Sequence, residues 1–290
     1  MVQHAPVGIV VDSSCCLPKD IQDSSRIHIV PHQLIAGGVV YRDGIDIYPA
    51  DFYRMLETTS IPTTTSGPTP QAFLETFLSI GNKANEILCL TLSPRFSSST
   101  HEAATIGARM AKSRNPEMQI SIMDSQSVAG TLGFLALRAA EESQKGRSMS
   151  EIISLIQRLI PQLHLLAFLD TLQYLRKSGK ITKAKAWTGT LLGFKPLTEL
   201  SRGEAKLLSK PRSRTKAINQ LMNIVAERMG NNPTHINIMH ANAPEDAKRL
   251  LDWSRDNFDC RELYVSEFTP VMGSHTGPGL VGIAFYSDFH

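Results

Sequence analysis

Short apolar segments alternate with longer amphipathic segments through the first half of the chain. Buried strands are predicted at residues 7–11, 27–30, 87–92 and 119–123. Helical periodicity predicts helices at residues 71–80, 101–112 and 130–145. Strands that alternate with helices are typical of a parallel sheet with helices on both faces, so an α/β fold is expected here.

From about residue 160 the pattern includes a β-hairpin. Two apolar segments, 196–200 and 205–209, are joined by four polar residues, 201–204, which predicts a hairpin. The other elements expected in this half are strands at residues 165–169, 235–239, 263–267 and 281–286 and helices at residues 171–177, 214–229 and 244–257. A hairpin inside such a series indicates a mixed sheet. We therefore expect an α/β domain over residues 1–160 and an α+β domain over residues 161–290.

The composition is that of an ordinary globular protein. Hydrophobic residues make up 42% and charged residues 20% of the 290 positions, which supplies enough apolar material for a core. The formal net charge is only +3, so nucleic acid, which requires a strongly basic surface, is not expected as a partner. The apolar segments are too short to cross a bilayer, and residues 1–6 lack the features of a signal peptide. A cytoplasmic protein without an integral membrane segment is expected.

The four cysteines have neither a disulfide-like nor a metal-binding arrangement. They are Cys15, Cys16, Cys89 and Cys260, and no C-x-x-C occurs. No pair of cysteines has the C-x₂₋₄-C spacing of a structural zinc site. We expect reduced, structural thiols, and neither a metal nor a cofactor is expected.

Clusters of hydroxyl-bearing residues lie near the ends of predicted elements. Residues 63–66 read Thr-Thr-Thr-Ser in a predicted loop before a helix, and residues 97–100 read Ser-Ser-Ser-Thr after a predicted strand. The carboxyl ends of strands in an open α/β sheet form the edge at which ligands bind, and a helix N-terminus offers unpaired N–H groups to an anion. Helix capping would use only some of these hydroxyls, so both roles stay open.

Basic residues and one histidine form the remaining candidate groups. Lys180 follows a glycine that is expected to end a helix, and Arg212 and Arg214 belong to a run of alternating cations. Such a run is either a solvated face or a contact for a phosphate or an acidic partner. His275 lies among the glycines of residues 273–279, which predict a tight turn. A structural and a functional role of this histidine are both open.

Two motifs that mark common enzyme classes do not occur in the sequence. It has no G-x-S-x-G elbow and no Walker P-loop. A dispersed triad of Asp12, Ser13 or Ser97, and His275 stays open, because triads are defined by geometry and not by sequence order. The alternative to a binding protein is therefore a serine-dependent hydrolase or transferase acting on an acyl or phosphorylated small molecule.

Several short motifs follow one another in an order that spans nearly the whole chain. They are V-V-D-S-S-C-C-L-P-K-D at residues 10–20 for T-D-S-x-x-x-L-P, residues 65–68 for T-S-Q-P, residues 93–99 for L-S-x-x-L-S-G-T, residues 124–125 for D-S, residues 171–181 for T-L-x-Y-L-x-x-G-G-R-I, residues 194–196 for I-K-P, and residues 275–279 for H-T-G-P-G. In this order they resemble the DegV family of fatty acid-binding proteins, which includes the FakB subunits of bacterial fatty acid kinase. Each motif is weak alone, but their common order is specific.

The resemblance implies a long-chain fatty acid lying between the two domains. Its carboxylate would be held by the hydroxyls of Thr65 and Ser97, by the backbone N–H of Ser98, and by His275 at the mouth. The chain would then be a lipid-binding protein without catalytic residues. It would present the carboxylate to a fatty acid kinase subunit for phosphorylation.

The resemblance also gives the basic residues a role. Lys180, Arg212 and Arg214 would contact the acyl phosphate or the kinase. Two positions depart from the family pattern. Ser98 replaces a glycine and adds a side chain where backbone is expected near the ligand, and Lys180 replaces the planar fork of an arginine with a single point charge. A lipid-responsive interaction module without a kinase is a third interpretation.

Overall fold

The structure, a computed structural model, describes residues 6–59, 61–81, 84, 86–178, 193–230 and 232–288. The first half contains β1 (Gly8–Asp12), α1 (Lys19–Ser25), β2 (His28–Val30), β3 (Gln33–Ala36), β4 (Val39–Arg42), α2 (Pro49–Thr58), β5 (Thr63–Ser66), α3 (Pro70–Gly81), β6 (Glu86–Thr91), α4 (Ser98–Arg114), β7 (Gln119–Asp124), α5 (Gly130–Gln144) and α6 (Met149–Leu159). The second half contains β8 (His164–Phe168), α7 (Gln173–Lys177), β9 (Leu197–Ser201), β10 (Glu204–Ser209), α8 (Arg214–Met229), β11 (Thr234–His240), α9 (Pro244–Asn257), β12 (Cys260–Glu267), α10 (Pro270–Thr276) and β13 (Val281–Ser287). Every strand and helix expected from the sequence pattern is present.

The first sheet has four parallel strands in the order β2-β1-β6-β7. Alternate residues along a strand point to opposite faces, so Val10 and Cys89 pack with α3 and α4, whereas Val11 and Leu90 pack with α5. Helices therefore cover both faces, and the predicted parallel α/β sheet is confirmed.

The second sheet has six strands in the order β10-β9-β8-β13-β11-β12. β11 and β12 pair in parallel, and the other neighbours pair antiparallel. One face packs against α8 and α9 through residues such as Ile236 and Ile283. The opposite face, with Met239 and Ala284, belongs to the apolar core that it shares with the first sheet. The predicted mixed sheet is confirmed.

Helix α5 lies between the two sheets. Eleven of its fifteen residues are buried, because one side packs on β1 and the other on the second sheet. At its start, a Cβ on Gly130 would lie 2.7 Å from Nδ2 of Asn237 and 2.8 Å from Cβ of Ala284. Only glycine allows the helix to approach the second sheet this closely. The two halves of the chain are thereby joined through one core.

A third sheet, which the sequence pattern does not predict, holds part of the candidate site. Its order is β4-β3-β5, and all pairs are antiparallel. The hydroxyl-rich residues 63–66, predicted as a loop, form strand β5, with Thr65 opposite Leu34 of β3. Threonine is β-branched and fits a strand, but the run has no alternation of polar and apolar residues that would have indicated one.

Two predicted turns differ in detail from the structure. The hairpin loop has two residues instead of four, Arg202 and Gly203, and both have positive φ, 50° and 73°, as in a type I′ turn. The turn expected around His275 is instead the last part of helix α10, and only the residues after it, Gly277 and Gly279, have positive φ. Pro270, which sets a helical φ at the first position, begins this helix.

Candidate functional site

A cavity of about 430 Å³ lies between the first and second sheets, within the range of roughly 300–1,000 Å³ that is usual for small-molecule sites. It reaches the carboxyl ends of β1 and β6, where Ser14 and Leu92 contribute to its wall. This is the edge of a parallel sheet at which ligands are expected.

One wall of the cavity is apolar. Leu165, Ala167 and Leu169 are spaced by two along β8 and its end and therefore face the same side. The hairpin adds Leu200 and Ala205, and further apolar wall comes from Phe268, Met272 and Leu280. The alternate residues of β8, Leu166 and Phe168, belong to the separate core under α8. The alternation of β8 thus supplies both a core face and a cavity face.

The polar part of the cavity joins the third sheet to α10. The hydroxyl of Thr65 lies 2.9 Å from Nε2 of His275, and both residues are half-buried and line the cavity. Strand β5 positions Thr65 through its pairing with β3, and His275 lies in the last turn of α10. Two of the predicted carboxylate-binding residues therefore lie in contact.

The N-terminus of α4 contributes serine hydroxyls to the cavity. Ser97 occupies the N-cap position of this helix, but its side chain makes no capping hydrogen bond and instead lies 3.2 Å from Oγ of Ser99. Both serines line the cavity, whereas Ser98 is exposed and does not. Gly67 packs closely over this site, because a Cβ there would lie 2.6 Å from Oγ of Ser99. The helix N-terminus favours an anion.

A buried carboxylate network lies behind the cavity wall. Oδ1 of Asp12 accepts hydrogen bonds from the backbone N–H and the hydroxyl of Ser14 and lies 3.1 Å from Nε2 of His32. Oδ2 accepts the backbone N–H of Leu92 at 2.6 Å. Burial alone would raise the pKa of Asp12, but these bonds and the nearby imidazole outweigh it and lower the pKa. Asp12 is therefore a buried anion.

A second buried carboxyl group links the first sheet to α10. Oδ2 of Asp43 accepts the hydroxyl of Ser13 at 2.7 Å, and Oδ1 accepts the backbone N–H of Val271 at 3.1 Å. Burial raises the pKa of Asp43 despite these bonds. Because Val271 is in the first turn of α10, Asp43 caps the helix that carries His275.

Three further cavity residues, His32, Ser14 and Ser99, are not predicted as site residues from the sequence. Ser14 and Ser99 belong to the motifs at residues 10–20 and 93–99, but nothing in the sequence distinguishes them from their neighbours. His32 is a single histidine after a proline and gives no periodic signal. Its proximity to the end of β1 follows only from the pairing of the strands.

The hairpin β9–β10 closes one side of the cavity. The backbone N–H of Gly203 donates to the carbonyl of Gln126 at 3.0 Å, and Nη1 of Arg95 lies 2.6 Å from Oε1 of Glu204. Arg95 and Gly203 both line the cavity. The hairpin tip is thus attached to loops that follow strands of the first sheet.

The predicted basic contact residues Arg212 and Arg214 have different surroundings. Arg214 donates to the carbonyl of Gly279 at 2.8 Å and forms ion pairs with Asp170 and Asp246. Arg212 is exposed, with its guanidinium 5.2 Å from the ring centre of Phe194. Lys180 lies outside the described residues.

The geometry does not assemble a catalytic triad from the residues named for one. In a triad the histidine lies between the serine and the carboxylate, whereas here Asp12 lies between Ser14 and His32. The hydroxyl of Ser13 is bonded to Asp43, and His275 contacts a threonine.

Among the described residues, neither a metal-binding cluster nor a membrane-spanning helix is found. No group of three or more histidine, cysteine or acidic residues among them is arranged to hold a metal ion. No helix among them is long and apolar enough to cross a membrane.

Comparisons with known proteins agree over nearly the whole chain. Residues 6–288 match the family model described as "Uncharacterised protein, DegV family". A DegV domain-containing protein of Streptomyces coelicolor is 36% identical over 283 residues, which cover 97% of this chain and 98% of the relative. Two solved structures each have a TM-score of 0.88 and cover 98% of this chain and 100% of their own: a DegV family protein from Thermus thermophilus, described for fatty acid binding (25% identical), and DegV of Bacillus subtilis, described as a fatty acid binding protein (26% identical). The chain therefore belongs to the DegV family.

Proposed function

We propose that this protein binds a long-chain fatty acid in the cavity between its two sheets. The observation that carries the proposal is the cavity itself, which has an apolar wall from β8 and the hairpin and a polar part formed by Thr65, Ser97 and His275. Two relatives with the same fold, from T. thermophilus and B. subtilis, are described as binding fatty acids. Residues 1–160 would carry the head-group loops, and residues 161–290 would complete the lipid pocket.

The polar part of the cavity would hold the carboxylate. Hydroxyls of Thr65 and Ser97 can donate to it, and His275 can donate through Nε2, which now faces Thr65. The backbone N–H of Ser98, at the start of α4, is the further donor that the family resemblance implies. A buried carboxylate is costly without such bonds, and charge-assisted hydrogen bonds contribute about 1.5–3 kcal/mol each. These groups would set the orientation of the ligand.

The apolar wall would supply most of the affinity. Burial of an acyl tail stabilises the complex by roughly 0.8 kcal/mol per methylene, so a tail of about 14 to 18 carbons gains on the order of 10 kcal/mol. The loss of translational and rotational freedom on association offsets several kcal/mol of this gain. Tail burial would therefore determine how tightly the ligand binds.

We further propose that the bound carboxylate is presented to a fatty acid kinase subunit. Arg214 supports a kinase contact near the carboxylate site. Its side chain donates a hydrogen bond to the carbonyl of Gly279, which is four residues beyond His275. Arg212 is exposed nearby in sequence and free of ion pairs with described residues. Together with Lys180, these cations would contact the acyl phosphate or the kinase.

The binding proposal is tested by analysing the purified protein. Native mass spectrometry and organic extraction should find a long-chain fatty acid carried over from the expression host, and the delipidated protein should take up hexadecanoic acid. A matched pair of variants locates the ligand: Ala205→Trp fills the cavity from β10, whereas Lys206→Trp adds the same ring to the exposed, opposite side of the strand. Empty protein that takes up no hexadecanoic acid, or equal uptake by the two variants, would contradict the proposal.

The kinase proposal needs a separate measurement. Arg212→Ala should lower phosphorylation of bound fatty acid by a cognate kinase without weakening lipid binding. Arg109→Ala, which removes an exposed cation from α4, is the matched control. Arg214→Ala is less informative, because it also leaves Asp170 and Asp246 without their partner. Unchanged phosphorylation in Arg212→Ala would place the kinase contact elsewhere.

A further inference from the structure

One side chain with a permanent charge lines the cavity. In the part of the chain that the structure describes, Arg95 is the only lysine, arginine, aspartate or glutamate of the cavity wall. The rest of the described wall consists of apolar residues, hydroxyl-bearing residues, glycines and the histidines His32 and His275. The proposed ligand is an anion, whereas the groups assigned to its carboxylate, namely Thr65, Ser97 and His275, carry no permanent charge. Arg95 is therefore a cation in the wall that these assignments leave without a role.

A single turn carries both Arg95 and the first serine of the predicted carboxylate site. The carbonyl of Ser93 accepts the N–H of Phe96 at 2.9 Å and the N–H of Ser97 at 3.2 Å, so the chain turns tightly between β6 and α4. Arg95 lies within this turn, two residues before Ser97 at the N-cap of α4. Its long side chain therefore starts at the edge of the carboxylate site.

The ion pair between Arg95 and the hairpin is weak enough to be exchanged. Nη1 of Arg95 lies 2.6 Å from Oε1 of Glu204, yet the two side chains are 61% and 75% exposed. An ion pair so accessible to water adds little stability. The base of the Arg95 side chain is held more firmly, because it packs against Gly203, where a Cβ would lie only 2.9 Å from Cβ of Arg95. The charged end can therefore change partner while the base stays in the cavity wall.

We propose that Arg95 recognises the charge of the ligand, because its guanidinium leaves Glu204 and pairs with the carboxylate of the bound fatty acid. The inference rests on the proposed fatty acid-binding function and adds a binding residue to the same site. A planar guanidinium matches a carboxylate through two parallel hydrogen bonds. Inside the cavity such a pair is less screened by water than the exposed pair that it replaces. Arg95 thus makes the cavity selective for acids over neutral lipids of the same length.

An acid and the alcohol of the same length test this role of Arg95. The probes are dodecanoic acid and dodecan-1-ol, and displacement of a fluorescent fatty acid measures the affinity of each. Arg95→Gln removes the charge but keeps a polar side chain, so it should lower the affinity for dodecanoic acid about three- to tenfold and hardly change that for dodecan-1-ol. The matched control is Arg202→Gln, which removes the same charge from an exposed position of the hairpin tip that does not line the cavity. It should change neither affinity.

Glu204→Gln distinguishes ligand binding from closure of the hairpin. Arg95→Gln and Glu204→Gln break the same ion pair, so a pair that only closes the hairpin would give equal losses of affinity. Glu204 instead competes with the ligand for Arg95, and Glu204→Gln should raise the affinity for dodecanoic acid about two- to fivefold. The gain should vanish when Arg95→Gln is also present, whereas a general effect of removing a negative charge would persist. Thermal unfolding of each variant checks the fold.

The outcomes separate this inference from the function on which it rests. Equal affinities of Arg95→Gln and Arg202→Gln for dodecanoic acid, or an equal loss for the acid and the alcohol, would overturn the role of Arg95 and leave the proposed function intact. A loss of affinity in Glu204→Gln, or a gain that persists in the double variant, would also overturn it. Failure of the wild-type protein to bind either dodecanoic or hexadecanoic acid would instead contradict the proposed function.

Discussion

The hydroxyl of Thr65 lies 2.9 Å from Nε2 of His275, although the two residues are 210 positions apart. A different part of the fold holds each residue in place. Thr65 is fixed by the pairing of β5 with β3, and α10, which carries His275, is capped at its N-terminus by Asp43. The polar part of the cavity is therefore built only when the third sheet and α10 are both in place.

This contact gives the first prediction. Thr65→Val keeps the shape of the side chain but removes the hydroxyl, so affinity for hexadecanoic acid should fall about ten- to hundredfold, as expected for the loss of a charge-assisted hydrogen bond. Displacement of a fluorescent fatty acid measures the change. The control is Thr64→Val, because Thr64 is the next residue of β5, is exposed and does not line the cavity. Equal losses in the two variants would move the head group away from Thr65.

The alternation of apolar and amphipathic segments was sufficient to predict most of the fold. Buried strands such as β6 and long helices such as α8 repeat their pattern over enough residues to be recognised. The third sheet was missed for a physical reason. Its strands have only four residues each, which is too short for a clear period. In addition, β4 exposes Val39 and Val40, and β5 consists of hydroxyl residues alone, so these two strands lack the pattern of a half-buried strand.

The candidate site was predictable only in part. A hydroxyl cluster at a helix start can be found from local sequence, and Ser97 at the N-cap of α4 is such a case. The proximity of Thr65 to His275 depends on long-range packing, and only the resemblance to a family brought the two together in advance. The position of His32 in the cavity wall was not predicted, because it depends on a contact with Asp12, twenty residues earlier.

The two buried carboxyl groups should respond to pH in opposite ways. The pKa of Asp12 lies below its ordinary value of 3.8, because its hydrogen bonds and His32 outweigh burial. The unfolded state therefore binds the proton first as pH falls, and the stability that ionised Asp12 provides is lost below about pH 4. Asp12→Asn should cost about 1–3 kcal/mol of unfolding free energy at neutral pH, and this cost should shrink in acid.

Asp43→Asn should show the reverse trend. Burial raises the pKa of Asp43 above 3.8, so the folded state holds the proton more firmly, and stability falls as pH rises through the raised pKa. The cost of Asp43→Asn should therefore be largest in acid and decrease toward neutral pH. Urea unfolding of both variants across the pH range makes each the control of the other. Parallel pH profiles would contradict the assigned shifts.

The thiols provide a chemical test of burial. Burial raises the pKa of Cys16 to about 12 and holds the pKa values of Cys15 and Cys89 well above their ordinary value. Thiolate is the reactive form, so these three should resist iodoacetamide in the native protein near neutral pH. Cys260 is only partly buried and should react first. Peptide mass spectrometry measures the modification, and all four should react in denaturant.

A different pattern of cysteine modification would also be informative. Modification of Cys15 or Cys16 in the native protein at the rate of Cys260 would mean that the region between β1 and α1 opens readily. Cys260→Ser, which removes the accessible thiol, should leave the native protein almost unreactive and serves as the control.

The hairpin tip gives the last prediction, which concerns ligand release. Gly203 has a φ of +73°, and a Cβ there would lie 2.7 Å from Oγ of Ser93 and 2.9 Å from Cβ of Arg95. Gly203→Ala should therefore move the hairpin away from the loop after β6, which forms the opposite side of the cavity. A fatty acid should then dissociate faster and bind more weakly.

Gly146→Ala separates this effect from backbone strain. Gly146 has a φ of +76°, but a Cβ there would meet nothing within 4 Å. Both variants should lose about 1–2 kcal/mol of unfolding free energy from the left-handed backbone alone, whereas only Gly203→Ala should speed ligand release in a stopped-flow experiment. Equal release rates would show that the hairpin tip does not retain the ligand, and that the closed side of the cavity is not its route of exit.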